Sequence, residues 1–308
     1  MLTFIDLFAG IGGLRLGFEQ AFNSEMQTVF VSEWDKHAQK TYSANFADNF
    51  AISGDIQQIN EVDIPPFDVC LAGFPCQPFS AIGKRAGFSH DTQGELFFEI
   101  VRILKARQPK AFLLENVTGI RTINKGEVFQ IILEELDKLG YSVEVLELNS
   151  KDFGVPQKRK RLYFVGFLKS PNKFAFKPPK PHEIGIGQFI EKGAEGYTIS
   201  ESTINGYLFK KDDGKPEIVD ENSTHPVKTL VSTYHKIQRL TGTFVRDNGT
   251  IRLLTANECK AIMGFPQDFV FPVSRTQMYR QLGNSVAVPV VREIARQMKE
   301  FLQNAEKS

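Results

Sequence analysis

The sequence is short of several things, and each shortage excludes something. Only three of its 308 residues are cysteine: Cys70, Cys76 and Cys259. An odd, low count argues against a disulfide framework and for a reducing compartment. No pair has zinc-finger spacing, which speaks against a structural metal. No apolar run approaches the roughly 18 to 20 residues of a membrane span. The opening Met1-Leu2-Thr3-Phe4-Ile5-Asp6 has no basic leader before an apolar stretch, so it reads as a strand rather than a signal peptide. Charge of one sign is missing too. At a net charge of +1, any nucleic-acid binding has to rest on local patches. Tryptophan occurs once, at Trp34, against 27 phenylalanines, most of which read as core. There is no internal repeat and no low-complexity tract.

What is present is an alternation. Strand-like apolar runs at 2–8, 28–32, 68–72, 111–115, 141–148 and 161–167 are interleaved with helical spacing at 13–22, 35–46, 96–107 and 128–139. A further strand is expected to end at Asp55-Ile56. This order predicts an α/β fold with a mostly parallel, doubly wound, Rossmann-like sheet covered on both faces. The Lys- and Pro-rich stretch 169–181 then reads as a boundary. From 182 to about 252 the chain is rich in Gly and Thr, with short β-like runs, which predicts a second, smaller, irregular β-rich domain. Helical spacing returns at 255–263 and 289–303. The length suffices for one large domain and one small one.

The chemistry begins at Asp6-Leu7-Phe8-Ala9-Gly10-Ile11-Gly12-Gly13, a strand running into a Gly-rich turn and a helix. Glycines there let a ligand approach the backbone and permit positive φ. Glu33 follows at the end of the second strand, where an acid bonds ribose hydroxyls in dinucleotide-type folds. Trp34 is placed to pack on an adenine ring, and Asp55 to accept from an adenine amino group. Together these point to an adenosine-containing ligand, without separating a nicotinamide dinucleotide from a methyl donor. Gly73-Phe74-Pro75-Cys76-Gln77-Pro78-Phe79-Ser80 separates them. Cys70, inside a strand, reads as a small core residue. Cys76 stands between prolines at a strand's carboxyl end, where a thiolate is a nucleophile for an electron-poor ring carbon. Glu115-Asn116-Val117 delivers a carboxyl group to the same edge of the sheet.

With these motifs in place, the sequence resembles the cytosine-5 DNA methyltransferase family, above all the compact bacterial modification methylases that accompany restriction enzymes. Asp152-Phe153-Gly154-Val155-Pro156-Gln157-Lys158-Arg159-Lys160-Arg161 matches its basic motif. Leu253-Leu254-Thr255-Ala256-Asn257-Glu258-Cys259 to Gly264-Phe265-Pro266 and Gln281-Leu282-Gly283-Asn284-Ser285-Val286 match its last two motifs. The resemblance implies a class I methyltransferase sheet and the divisions 1–172 (catalytic and cofactor-binding domain), 173–265 (small target-recognition domain) and 266–308 (hinge and C-terminal helix returning to the catalytic domain). It implies Cys76, Glu115, Arg159 and Arg161 as the catalytic set. It also implies S-adenosyl-L-methionine as donor, S-adenosyl-L-homocysteine as product and no metal. The cofactor would be held by Asp6, Phe8, Gly10, Gly12, Gly13, Glu33, Trp34, Asp55, Ile56, Pro75, Leu96, Asn284, Ser285 and Val286.

The implied partner is double-stranded DNA, with the target cytosine flipped into the pocket. A restriction endonuclease would be a genetic rather than physical partner. A monomer in the cytoplasm of a bacterium or phage-infected cell is expected. Ser80, Lys84 and Arg85 lie on a small-residue-rich loop that reads as a lid. Gln157 and Thr229 are the expected DNA contacts of the basic motif and recognition region. Residues 227–252 carry Lys228, Lys236, Arg239, Arg246 and Arg252 against the single acid Asp247, interleaved with polar side chains. His235, Gln238 and Arg239 are the candidate base readers. An RNA cytosine methylase on the same core is the near alternative. A nicotinamide-dependent dehydrogenase leaves the Pro-Cys-Gln loop unused, and a non-enzymatic DNA binder leaves Cys76 and Glu115 without purpose.

Overall fold

Alternating side chains along the first strands decide the architecture. The computed structural model describes residues 1–75, 95–170 and 172–305. In β1 (Leu2–Leu7), β3 (Val69–Gly73) and β4 (Ala111–Val117), successive side chains leave opposite faces of the sheet. Phe4, Val69, Leu71, Ala111 and Leu113 form one apolar face, and Ile5, Leu7, Cys70, Ala72, Phe112 and Leu114 the other. The first is covered by α1 (Gly13–Phe22) and the C-terminal α8 (Val288–Ala305), the second by α3 (Glu95–Arg107) and α4 (Glu127–Lys138). A sheet apolar on both faces requires helices on both.

With β2 (Met26–Ser32), β5 (Tyr141–Asn149) and β6 (Lys160–Leu168), the sheet has the order β2-β1-β3-β4-β6-β5. The first four strands are parallel, and β6 runs antiparallel to both β4 and β5. α2 (Lys36–Asn45) follows β2. The strand expected to end at Asp55-Ile56 reduces to a single bridge between Ser32 and Ser53, after which Asp55 opens a 3-10 turn, Ile56–Gln58.

Beyond residue 172 come the one-turn α5 (Glu201–Thr203) and a three-stranded sheet of β7 (Glu217–Val219), β8 (Thr243–Asp247) and β9 (Thr250–Arg252). Its core is continuous with α6 (Ala256–Met263) and α7 (Arg275–Asn284). The sequence reading missed α7. Its exposed face is so polar (Arg275, Thr276, Gln277, Arg280, Asn284) that no apolar stripe announces it, although Met278, Tyr279 and Leu282 are buried.

Candidate active site

The Gly-rich turn is built from left-handed backbone. Phe8, Gly10 and Gly12 have φ of 54°, 57° and 81°. A Cβ on Gly12 would lie 2.3 Å from the Phe46 ring, and one on Gly13 2.5 Å from Ser285 Oγ and 2.9 Å from Val286 Cγ2. The absence of a side chain at Gly13 therefore lets the Gly-rich turn approach Ser285 and Val286 closely. Glu33 braces the same turn, accepting from the Gly10 N–H at 2.7 Å and the Asp35 N–H at 2.8 Å. Burial raises its carboxyl above the usual range, against those backbone donors. Beside it, Trp34 is 77% exposed, which leaves the chain's one indole open to a flat ligand. Asp55 accepts from the Gln57 N–H at 3.1 Å through one oxygen, so it caps a turn whatever else it does. Asp6 is unusual. Both of its carboxyl oxygens are buried without a hydrogen-bond partner. Burial pushes its pKa up to about 8, with nearby Arg15 pulling the other way.

Ile56 is buried and Leu96 packs against the same cluster, while Asn284, at the end of α7, and Pro75 are exposed. An adenosine-bearing sulfonium fits this donor set. The brace carboxylate of Glu33 suits ribose hydroxyls, the open face of Trp34 suits adenine, and the orphaned Asp6 behind the turn suits an ammonium group.

The acid site forms across the next strands. Glu115 on β4 stands in register with Gly73 of β3 and Tyr163 of β6. Arg161 Nε lies 3.1 Å from Glu115 Oε1. Burial raises the Glu115 carboxyl, while Arg161 and then Arg159 oppose the rise. Asn116 turns inward and donates from Nδ2 to the Phe74 carbonyl at 3.0 Å. That bond ties the strand of the acid to the segment leading to Cys76. Cys76, Ser80, Lys84 and Arg85 lie outside the described residues.

Several expected contacts are placed differently. Arg159 does not join Glu115 directly. Its guanidinium donates to the Leu230 carbonyl at 3.0 Å, and to the carbonyls of Gly283 at 3.0 Å and Ser285 at 2.5 Å. It thus clamps the start of β6, the segment at Leu230 and the end of α7 together, and burial pushes its pKa down to about 9. Gln157, expected on DNA, is fully buried. It donates to the Ile262 carbonyl at 2.7 Å and accepts from the Leu230 N–H at 2.7 Å. Arg239, expected to read a base edge, is buried and committed to Asp213 and three carbonyls. Arg252 is buried between Asp247 and Glu258. Two of the five cations in the 227–252 patch are therefore neutralised inside the protein. Proximity in sequence cannot show this, because Asp213 and Glu258 lie outside the segment. Thr229 is half-buried and donates to the Lys158 carbonyl at 2.7 Å. Gln238 accepts from Thr233 and Thr241, each at 3.0 Å, and His235 keeps a buried Nδ1 without a partner.

The comparisons with known proteins agree with this geometry. The family model for C-5 cytosine-specific DNA methylase matches residues 2–300. The chain is 54% identical over 309 residues to the type II methyltransferase M.BsuFI of Bacillus subtilis, covering 99% of this chain and 74% of that protein. It is also 54% identical over 301 residues to the type II methyltransferase M.MspI of a Moraxella species, covering 97% and 71%. Among solved structures, the S. pombe Dnmt2 methyltransferase superposes with a TM-score of 0.80 at 23% identity, covering 98% of this chain and 99% of that one, which shows the shared fold. The match over nearly the whole chain, on a sheet that carries the acid and glycine motifs at one edge, shows that this chain belongs to the C-5 cytosine-specific DNA methylase family.

Proposed function

We propose that the protein transfers a methyl group from S-adenosyl-L-methionine to carbon 5 of a flipped-out cytosine in a short duplex site, as the modification enzyme of a bacterial restriction–modification system. The observation that carries this is the buried Glu115–Arg161 pair at the carboxyl edge of the sheet, tied through Asn116 to the segment entering Cys76. Residues 1–172 would bind cofactor and base, 173–265 would select the target, and 266–308 would return α8 to the main sheet.

The bound donor supplies an electrophilic methyl group. The chain's residues make carbon 5 able to take it. Cys76 Sγ adds to carbon 6, forming a carbon–sulfur bond and breaking the 5,6 double bond. The displaced electron pair moves toward N3, where Glu115, whose carboxyl burial shifts toward the protonated form, would donate a hydrogen bond. Charge that develops in a dry pocket is best met by a donor already in place. Arg161 fixes the carboxyl's direction. After transfer, a base or water takes the carbon-5 proton, which restores the double bond and releases Cys76 as thiolate. Glu33, Trp34, Asp55 and the turn at Gly10–Gly13 would hold the donor.

The test is direct. Duplex DNA of mixed sequence, incubated with methyl-labelled donor, is expected to gain label at carbon 5 of cytosine. Cys76→Ser is expected to abolish the gain, and 5-fluorocytosine at the target to trap a covalent adduct. Label appearing in transfer RNA and not in the duplex would reverse the substrate assignment.

A further inference from the structure

The cation expected to touch a base turns out to organise a different surface. Arg239 Nε donates to the Leu208 carbonyl at 2.8 Å, and Nη1 to Asp213 Oδ2 at 3.0 Å. Nη2 donates to the carbonyls of Lys211 and Lys215, each at 3.0 Å, and to Asp213 Oδ1. One buried guanidinium thus gathers four points of a single loop, residues 208–215. That loop turns Lys210, Lys211 and Lys215 to solvent. Tyr207, Phe209 and Leu240 on its flanks are 40%, 41% and 60% exposed. With Asp213 paired to Arg239, the three lysines face one remaining acid, Asp212. Short contacts connect the segments that flank Arg239 to the basic motif. Thr229 bonds the Lys158 carbonyl, next to Arg159. Lys228 reaches the Leu240 carbonyl at 3.4 Å, next to Arg239.

We infer that residues 207–215 form a DNA-contacting finger in which Lys210, Lys211 and Lys215 neutralise phosphates, and that Arg239 is the positioning residue that holds it. The inference rests on the proposed DNA substrate. Phosphate contacts fix register without reading sequence, so the finger sets where the recognition region sits rather than which base it prefers. Arg239 itself, buried in this network, contributes no phosphate contact.

Binding of a fluorescent duplex, followed by anisotropy between 50 and 200 mM salt, tests this. Each lost phosphate contact lowers the slope of log affinity against log salt by about 0.9. The triple variant K210Q/K211Q/K215Q is expected to lower the slope by about 2 to 3, with the loss in methylation appearing in KM for duplex rather than in kcat. Arg239→Ala is expected to lose most of the same slope although it removes no phosphate contact. Arg239→Lys is expected not to restore it, since one ammonium cannot span the four loop positions. A triple variant with the wild-type slope and KM would overturn the inference, and it remains decisive if the Arg239 variants fail to fold. A wild-type protein that neither binds nor methylates duplex would instead sink the substrate assignment.

Discussion

Arg161 reaches across from β6 to hold Glu115 on β4, Nε to Oε1 at 3.1 Å, with both side chains nearly closed to solvent. Two forces act on that carboxyl. Burial raises its pKa and the guanidinium lowers it. Removing this cation leaves only the weaker pull of Arg159 against burial. Arg161→Met is therefore expected to raise the Glu115 pKa further and to move the falling alkaline limb of kcat/KM to higher pH, because the protonated acid is the hydrogen-bond donor. The rate below that limb is expected to drop on the order of 100-fold, as for loss of one orienting group around a charge-stabilising donor. A pH–rate profile checks it. A limb that stays in place, or moves to lower pH, would show that Glu115 works as the carboxylate.

Asp6 carries a cost that a ligand can offset. Its carboxyl is raised from 3.8 to about 8 by burial. A raised folded-state pKa means that the folded chain binds a proton the unfolded chain has released. The favourable contribution is complete below about 4 and is lost as pH climbs toward about 8. Asp6→Asn removes the titration. The variant is expected to melt several degrees higher than wild type at pH 9 and no higher at pH 4, while binding S-adenosyl-L-methionine at least 10-fold more weakly. Thermal melting across that range, with calorimetric titration of the cofactor, separates the two effects. Equal melting differences at both ends would contradict the burial argument.

Patterns that depend on neighbours in sequence were readable in advance. Apolar runs between helical stretches marked the strands of the large sheet, the strand–turn–helix of Gly10–Gly13 marked the edge where a cofactor was expected, and Glu115 followed from its place near the end of β4. The antiparallel insertion of β6 was not readable, because a strand buried on both faces looks the same in either direction. α7 escaped because only its inner residues are apolar. Arg239 and Arg252 were misread for a related reason. A basic residue in a recognition segment has the same sequence appearance whether it faces phosphate or a buried carboxylate, and the partners Asp213 and Glu258 are supplied by other elements.

Gly13 and Trp34 should fail in different ways. A methyl group on Gly13 would collide with Ser285 Oγ and Val286 Cγ2, forcing apart the two segments that meet there. Gly13→Ala is expected to weaken cofactor binding by more than 10-fold and to cost about 1–3 kcal/mol of stability, the usual range for overpacking. Trp34 is 77% exposed and buries little against the protein. Trp34→Ala is expected to weaken cofactor binding comparably while leaving the melting temperature of the free protein within about one degree, since exposed substitutions stay within about 0.5 kcal/mol. A large stability loss in Trp34→Ala would mean that the indole serves the fold.

Arg252 offers the sharpest separation of structural from DNA-binding charge. Its Nε donates to Asp247 Oδ2 at 2.8 Å, and its terminal nitrogens to the two oxygens of Glu258 at 2.9 and 2.8 Å. The remaining donors go to the carbonyls of Leu253 and Glu191. Glu258 in turn closes the capping box of α6 with Thr255. The pair therefore fastens the small sheet to the helix that follows it. Arg252→Met leaves Glu258 buried without its cation, a loss of about 3–5 kcal/mol. Replacing both, as in R252M/E258L, removes the Glu258 charge, leaves Asp247 to its Gly193 and Ala194 N–H donors, and is expected to recover much of that loss, apart from about 1 kcal/mol for the lost cap. Because the pair is buried, the destabilisation should change little between 50 and 500 mM salt. The salt slope of duplex binding by folded Arg252→Met should equal that of wild type. Urea unfolding and anisotropy test both halves of the argument. A slope reduced by about one contact would return Arg252 to the DNA surface, and a double variant no better than the single would show that the orphaned charge was not the source of the loss.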